Sequence, residues 1–469
     1  MYKKKRHIHF VGIGGIGMSS IAAILKQQGY QISGCDSDLG QKSVKNLLAL
    51  GCDVSLGNNS ASCIDLSIDI LVHSTAIKMD SPELVRARER GIPVVHRADM
   101  LAELTKKKYS IAVSGSHGKT TTTSLIAHLL IEGRIDPTII VGGIMHNLGS
   151  NARYGAGDFL VAEADESDRS FTTLFPSIAV ITNIDLEHLD VYRDAADLKK
   201  TFLQFLERLP WYGKVFLCSD DKLARELLLE MPESIRRKTI TYGFEAGAAV
   251  QAMNSCLESE YSSCDVLFGN KVMHLRTQLL GRHNLLNSIV AAAVAVECGV
   301  GFDVVESALQ VFRGVDQRFT HRGVYRGAAV FDDYGHHPTE IDNMLTVALR
   351  RIKAQNKGRL IVVFQPHRFS RTEKLWEAFI SVFSNGKVDH LIITDIHPAS
   401  ESPIAGITGE RLVCDLVERG GMKNAYYVSA GGNYEDIVKK LDVLLQENDL
   451  LLFLGAGKIN RLAEKLCTN

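Results

Sequence analysis

Short apolar runs rich in β-branched residues recur through the first hundred positions, each followed by a stretch with apolar residues at helical spacing. IHFVG (8–12) precedes a helix pattern from about Met18, QISGCD (31–36) and DILVHS (69–74) each precede another, and IPVVH (92–96) closes the series. Alternating strand and helix periods predict a parallel sheet joined by crossover helices. The charged cluster AELTKKK (102–108) interrupts it and sets a boundary near Lys106.

The alternation resumes with YSIAVS (109–114), FLVAEAD (159–165), IAVITNID (178–185), KVFLCSD (214–220) and a helix over 284–297, around a polar excursion at 250–279 that reads as antiparallel. It starts a third time near 321–323 with AAVFDDY, RLIVVFQPH, HLIITDI and DLLLFLGAG. The prediction is an α/β chain of three domains, 1–106, 107–322 and 323–469, in keeping with a length too great for one core. Ligands in such sheets sit beyond the carboxyl ends of the strands, where this chain concentrates its polar residues.

One of those ends is distinctive. YSIAVS runs into GSHGKTTTT, a glycine turn opening a helix, so the N–H groups of Gly115, Ser116, His117 and Gly118 and the positive helix end converge on one point. Lys119 adds a charge, and Thr120 and Thr121 add hydroxyls, Thr120 in reach of a Mg²⁺. The loop suits a nucleoside triphosphate, although it is shorter than the standard phosphate-loop spacing, with Val113 where that pattern has glycine.

The formal net charge of −1 leaves no basic footprint for nucleic acid. Nine cysteines without a CxxC pair read as reduced thiols of an intracellular protein. Basic residues before an apolar stretch at the amino terminus imitate a signal peptide, but His7, His9 and a glycine cluster break it, so the expected setting is cytoplasmic, with no membrane span.

Gly12, Gly14, Gly15 and Gly17 form GIGGIG after the first strand, and Asp36 ends the second, as in a dinucleotide fingerprint whose acid meets a ribose hydroxyl. That pattern fits a pyrophosphate and leaves NAD and a UDP-sugar both open. Glu163, Asp165, Glu166 and Ser167 follow one strand, and Glu187, His188 and Asp190 follow the next; Glu163 and His188 could complete Mg²⁺ coordination, or cap helices. His283, Asn284 and Asn287 open a helix, where amides could read an adenine edge. The last third supplies Asp332, Asp333, Tyr334, His336 and His337 in FDDYGHHPTE, and His367, Arg368 and Arg371 in QPHRFSRT, an anion clamp in outline.

GIGGIGMS, GSHGKTTTT, EADESD, TNIDLEHLD, GRHNLLN, FDDYGHHPTE and QPHRFSRT occur in an order that resembles the Mur ligases, ATP-dependent amide-forming enzymes of peptidoglycan precursor synthesis, over residues 7–458. The resemblance implies a Rossmann-like UDP-binding domain, a central P-loop ATPase domain and a carboxyl-terminal Rossmann-like domain. Its most specific motifs, DYGHHPTE and QPHRFSRT, imply UDP-N-acetylmuramate and L-alanine as substrates, ATP and Mg²⁺ as cofactors, and a monomer or weak homodimer.

Carried over by position, it implies Lys119 on the β and γ phosphates, Thr120 and Glu163 on one Mg²⁺, and Glu163 with His188 on a second. His283 and Asn287 would face adenine, Arg318 the phosphates and Asp332 the ribose. Gly14, Gly15, Gly17, Ser19, Asp36, Ser74 and Arg97 would surround the UDP moiety. Ser167, His367, Arg368 and Arg371 would meet substrate, and His337 would serve as base.

Two positions depart from the family pattern, Gln317 where a second arginine is usual before Arg318 and Asn58 after Gly57 where histidine is common; Lys199 and Lys200 lie where sister ligases carry a carbamylated lysine, and neither is assigned that role. Rival readings are an NAD oxidoreductase, a nucleotide-gated scaffold and a ligase for recycled peptides.

Overall fold

The computed structural model describes residues 7–57, 61–65, 67–188, 191–399 and 401–467, and each alternating region forms its own sheet. Asn58 and Asp190 lie outside the described residues. The first sheet is parallel throughout, ordered Asp53–Leu56, Gln31–Asp36, His7–Val11, Ile70–His73, Val94–His96. His7–Val11 is buried at every position, as a central strand covered on both faces must be.

The second sheet has ten strands, with Tyr109–Ser114 between Phe159–Glu163 and Ile178–Ile181, all parallel. This register delivers the glycine turn, Glu163 and Thr182 to one edge of the sheet. The predicted excursion is antiparallel, as Val250–Leu257, Ser262–Phe268 and Lys271–Thr277. At the opposite edge a further hairpin, Thr138–Met145 with Ser150–Arg153, extends the sheet. Helices Lys119–Glu132 and Arg282–Glu297 pack side by side and are buried nearly all round, which explains why neither shows a polar stripe.

In the third sheet Ala328–Asp333, Leu450–Leu454, Leu360–Phe364, His390–Ile393 and Ala425–Tyr427 are parallel, and Thr320–Tyr325 pairs antiparallel at one edge. The expected boundary at 322/323 therefore divides a strand that pairs within the third sheet. Side chains tie the units together. Asn151 Nδ2 donates to Ser20 Oγ (2.8 Å) and to the Ile16 carbonyl (3.1 Å), and Thr339 Oγ1 donates to Asp185 Oδ2 (2.9 Å). Among the described residues no helix is long and apolar enough to cross a membrane, and the nine cysteines are free thiols.

Candidate active site

The phosphate turn is built on two glycines with positive φ, Gly115 (+126°) and Gly118 (+80°). A Cβ at Gly115 would lie 2.2 Å from Thr182 Oγ1, and one at Gly118 2.7 Å from Asn287 Oδ1, so no side chain fits either position. Lys119 points back into the turn. Its ammonium donates to the carbonyls of Gly115 (2.7 Å) and Ser116 (3.1 Å) and to Glu166 Oε1 (2.9 Å), which occupies all three of its donors. Burial opposes its charge, but Glu166 and Asp165 outweigh burial and hold the lysine above its usual range. Burial pushes Glu166 up to about 7 despite Lys119.

Around the turn lies a cavity of about 610 Å³, bounded by Gly118 and Thr121 on one side, His283 and Asn287 on the second, and Arg318, Asp333 and Glu340 on the third. His283 opens the Arg282–Glu297 helix, and burial drives it down to about 4, so it is neutral at pH 7. Arg318 lies 3.9 Å from Glu340 and 5.5 Å over the Tyr334 ring. Asp332 stands apart. Fully buried, it pairs with Arg322 at 2.8 Å, while its neighbour Asp333 lines the cavity, because successive residues of a strand face opposite sides.

The third unit reaches the phosphate turn through the start of helix Pro338–Gln355. His337 and Glu340 form a capping box there, with Glu340 Oε2 accepting from the His336 and His337 N–H groups. Glu340 Oε1 lies 3.4 Å from Nδ1 of His117 in the turn, and His117 Nε2 lies 3.1 Å from Asp185 Oδ2. Burial disfavours charge on His117, but Asp185, Glu340 and Glu187 overcome it and raise the ring to about 10.

His337 lies 5.0 Å from the His117 ring, where burial lowers its pKa. Its Nδ1 accepts from the Thr339 N–H at 3.3 Å, which assigns the proton to Nε2. The ring thus presents a donor to the site, and its expected role as base conflicts with the helix cap that consumes its lone pair.

His188, at φ +53°, places Nε2 3.7 Å from both Glu166 Oε1 and Glu187 Oε2. Glu163 stands in a different place, near the Thr120 hydroxyl, accepting from the Gly142 N–H at 2.7 Å. Thr120 thus meets Glu163, and His188 meets Glu166 and Glu187, the latter three bringing their donor atoms within 4.8 Å of one another. Lys199 is held by Glu226 (3.1 Å) and Glu230 (2.5 Å), which raise its pKa and keep it from the neutral form that carbamylation needs.

A smaller cleft joins 186–188 and His337 to Arg368, Ser370 and Arg371. Arg371 donates to His367 Nδ1 at 3.1 Å, and burial with the neighbouring cations depresses His367 to about 2, leaving it a neutral acceptor. Ser167 lies on the turn after Phe159–Glu163, its N–H on Asp165 Oδ1.

In the first unit, Arg97 sits against Gly17, where a Cβ would be 2.7 Å from its Nη1, and Ser74 follows strand Ile70–His73. Asp36 ends strand Gln31–Asp36 beside the glycine loop. Its carboxylate accepts from the Gly14 N–H (2.7 Å), the Asp38 N–H and Gln41 Nε2, so the fingerprint acid closes the glycine loop. Ser19 Oγ returns to the Ile16 carbonyl. The contribution of Glu340 was the part least visible from the sequence; a glutamate three positions after the helix cap His337 is its one local signal.

Three family models match in chain order: "Mur ligase family, catalytic domain" over 7–109, "Mur ligase middle domain" over 113–295, and "Mur ligase, glutamate ligase domain" over 317–457. The UDP-N-acetylmuramate–L-alanine ligase of Syntrophus aciditrophicus is 44% identical over 99% of this chain and 94% of its own length. That of Geobacter sulfurreducens is 43% identical over 98% and 96%. The crystal structure of the UDP-N-acetylmuramate–alanine ligase of Thermotoga maritima superposes with a TM-score of 0.80 at 28% identity, covering 98% of both chains. With a phosphate turn, a capped helix from the third unit and relatives alike from end to end, the chain belongs to the Mur ligase family.

Proposed function

We infer that this chain is an ATP-dependent ligase that joins L-alanine to the carboxylate of UDP-N-acetylmuramate through an acyl phosphate, in peptidoglycan precursor synthesis. The observation that carries the reading is the meeting of the Lys119 turn with Arg318 and Glu340 around one cavity, in a chain whose end-to-end relatives bear that name.

A carboxylate resists attack by an amine, so it must first be activated. The sugar acid attacks the γ-phosphoryl group in line, with Lys119 exchanging Glu166 for phosphoryl oxygens and Arg318 adding charge from the other wall. The turn N–H groups hold the chain of phosphates, and neutral His283 with Asn287 faces the base. Thr120 with Glu163, and His188 with Glu166 and Glu187, fit Mg²⁺, because the donors are mostly oxygen and Glu187 Oε1 is buried without a hydrogen-bond partner. A bound Mg²⁺ supplies positive charge to the phosphoryl oxygens.

Arg368, Arg371 and His367 orient the sugar acid and the incoming amino acid in the smaller cleft. The free amine attacks the acyl carbonyl, the bond from that carbon to the phosphate oxygen breaks, and the departing phosphate takes up the proton the amine loses while His337 holds it through a hydrogen bond from Nε2–H. Contacts of Thr339 and Glu340 with the central unit keep water from the intermediate. Glycine loop, Ser74 and Arg97 take the UDP group, the unit works as a monomer or weak homodimer, and its setting is cytoplasmic, where ATP is supplied.

ADP release measured with UDP-N-acetylmuramate against amino acids and short peptides tests the reading, with L-alanine expected to give the highest rate. Carboxylate ¹⁸O must appear in phosphate after turnover. ADP release independent of the sugar acid, or greatest with a peptide, overturns it.

A further inference from the structure

The first unit carries a cluster that the ligase reaction does not use. His9, on the central strand, Cys35, next to Asp36, and Cys63 bring one ring nitrogen and two sulfurs within 4.8 Å of one another. Cys63 Sγ donates to Cys35 Sγ at 3.5 Å, a separation that two thiolates on one ion also adopt. His9 is 2% exposed; its Nδ1 is spent on Ser33 Oγ at 2.8 Å, and its Nε2 has no hydrogen-bond partner. A buried ring nitrogen without a partner costs free energy that a cation would recover.

A second orphan points the same way. Glu83 is 3% exposed with Oε2 unpartnered, and after the Cys63 hydrogen bond and burial its charge helps to hold the Cys35 thiol above the usual range. Two sulfurs, an imidazole and a nearby uncompensated carboxylate are the donors of a borderline or soft divalent ion, and they differ in kind from the oxygen-rich groups around the phosphate turn.

We propose that His9, Cys35 and Cys63 form a binding site for a zinc-class divalent cation behind the UDP-binding loop. Coordination replaces both thiol protons, so affinity rises with pH. The Cys35 carbonyl accepts from the Gly12 and Ile13 N–H groups at 2.8 and 3.1 Å, and Asp36 beside it holds Gly14. An ion on Cys35 therefore stiffens the glycine loop and is felt as a change in KM for the UDP-sugar, with KM for ATP unmoved.

The test titrates the full-length, reduced protein with Cd²⁺ and Co²⁺ as probes, reading thiolate-to-metal charge-transfer absorbance and the ion stoichiometry by native mass spectrometry. One tightly bound ion with a two-thiolate band is expected. Cys63→Ser should abolish the band while ligase turnover in Mg²⁺ buffer free of transition metals persists, which shows that the variant is folded. His9→Gln should weaken binding at least tenfold. Absence of the band in the parent protein, or an undiminished band in Cys63→Ser, which would place the ion on other cysteines, overturns the proposal.

Discussion

Glu340→Gln isolates the contact between the third unit and the phosphate turn. Glu340 does two jobs: Oε2 caps the Pro338–Gln355 helix through the His336 and His337 N–H groups, and Oε1 faces His117 at 3.4 Å. Glutamine retains an acceptor for the cap and removes the charge. His117 is raised from 6.5 to about 10, burial being outweighed by Asp185, Glu340 and Glu187. At about 1.4 kcal/mol per tenfold, its protonated form gains roughly 5 kcal/mol from this environment. Because the folded value lies above the free one, that stabilisation is complete below about pH 6.5 and fades as pH rises toward 10.

Glu340 faces His117 as a buried ion pair at 3.4 Å, and at the about 1.5 to 3 kcal/mol typical of a charged contact its loss should lower His117 by about one to two pH units while Asp185 still holds it. The histidine Cε1–H resonance followed by NMR reads this directly. The same loss weakens docking of the third unit on the turn, and kcat should fall about ten- to a hundredfold. Glu340→Ala, which also removes the cap, should cost about 1 kcal/mol more in thermal unfolding. An unmoved His117 in Glu340→Gln, with kcat intact, would refute the reasoning.

Lys119→Met should reduce ligation on the order of 10²-fold or more while UDP-sugar binding, measured by calorimetry, persists. It leaves Glu166 buried without its partner, so that carboxyl rises further above about 7; the variant should lose stability as pH increases from 6 to 8, and a melting temperature flat across that range would contradict this. Gln317→Arg should leave ATP kinetics unchanged, because Arg318 and Phe319 line the cavity and Gln317, at φ +59°, does not, whereas Arg318→Ala should raise KM for ATP; a lowered KM in Gln317→Arg would bring that side chain to the phosphates. Asp36→Ala removes three hydrogen bonds from the glycine loop and should raise KM for UDP-N-acetylmuramate at least tenfold with KM for ATP unaltered, and equal changes in both would point to global loosening.

The three sheets, the phosphate turn and the antiparallel excursion were legible in the chain because each depends on local chemistry. Buried parallel strands must be continuous apolar runs, and a turn at Gly115 and Gly118 admits no Cβ. The roles of individual polar side chains were not local. Asp36 fits a ribose contact by spacing, and only the folded chain shows that its carboxylate also accepts from the Gly14 N–H. Asp332 and Asp333 are adjacent, and the strand's alternation alone sends one to Arg322 and the other to the cavity. His188 and Glu187 join Glu166 because two strand-end segments converge, and His117 owes its charge first to Asp185 and then to Glu340 on a helix more than two hundred positions away. Sequence by itself determined which residues could do this chemistry; tertiary packing decided which hydrogen-bond partners each one meets, since a buried polar group takes its nearest satisfying neighbour wherever the chain brings it.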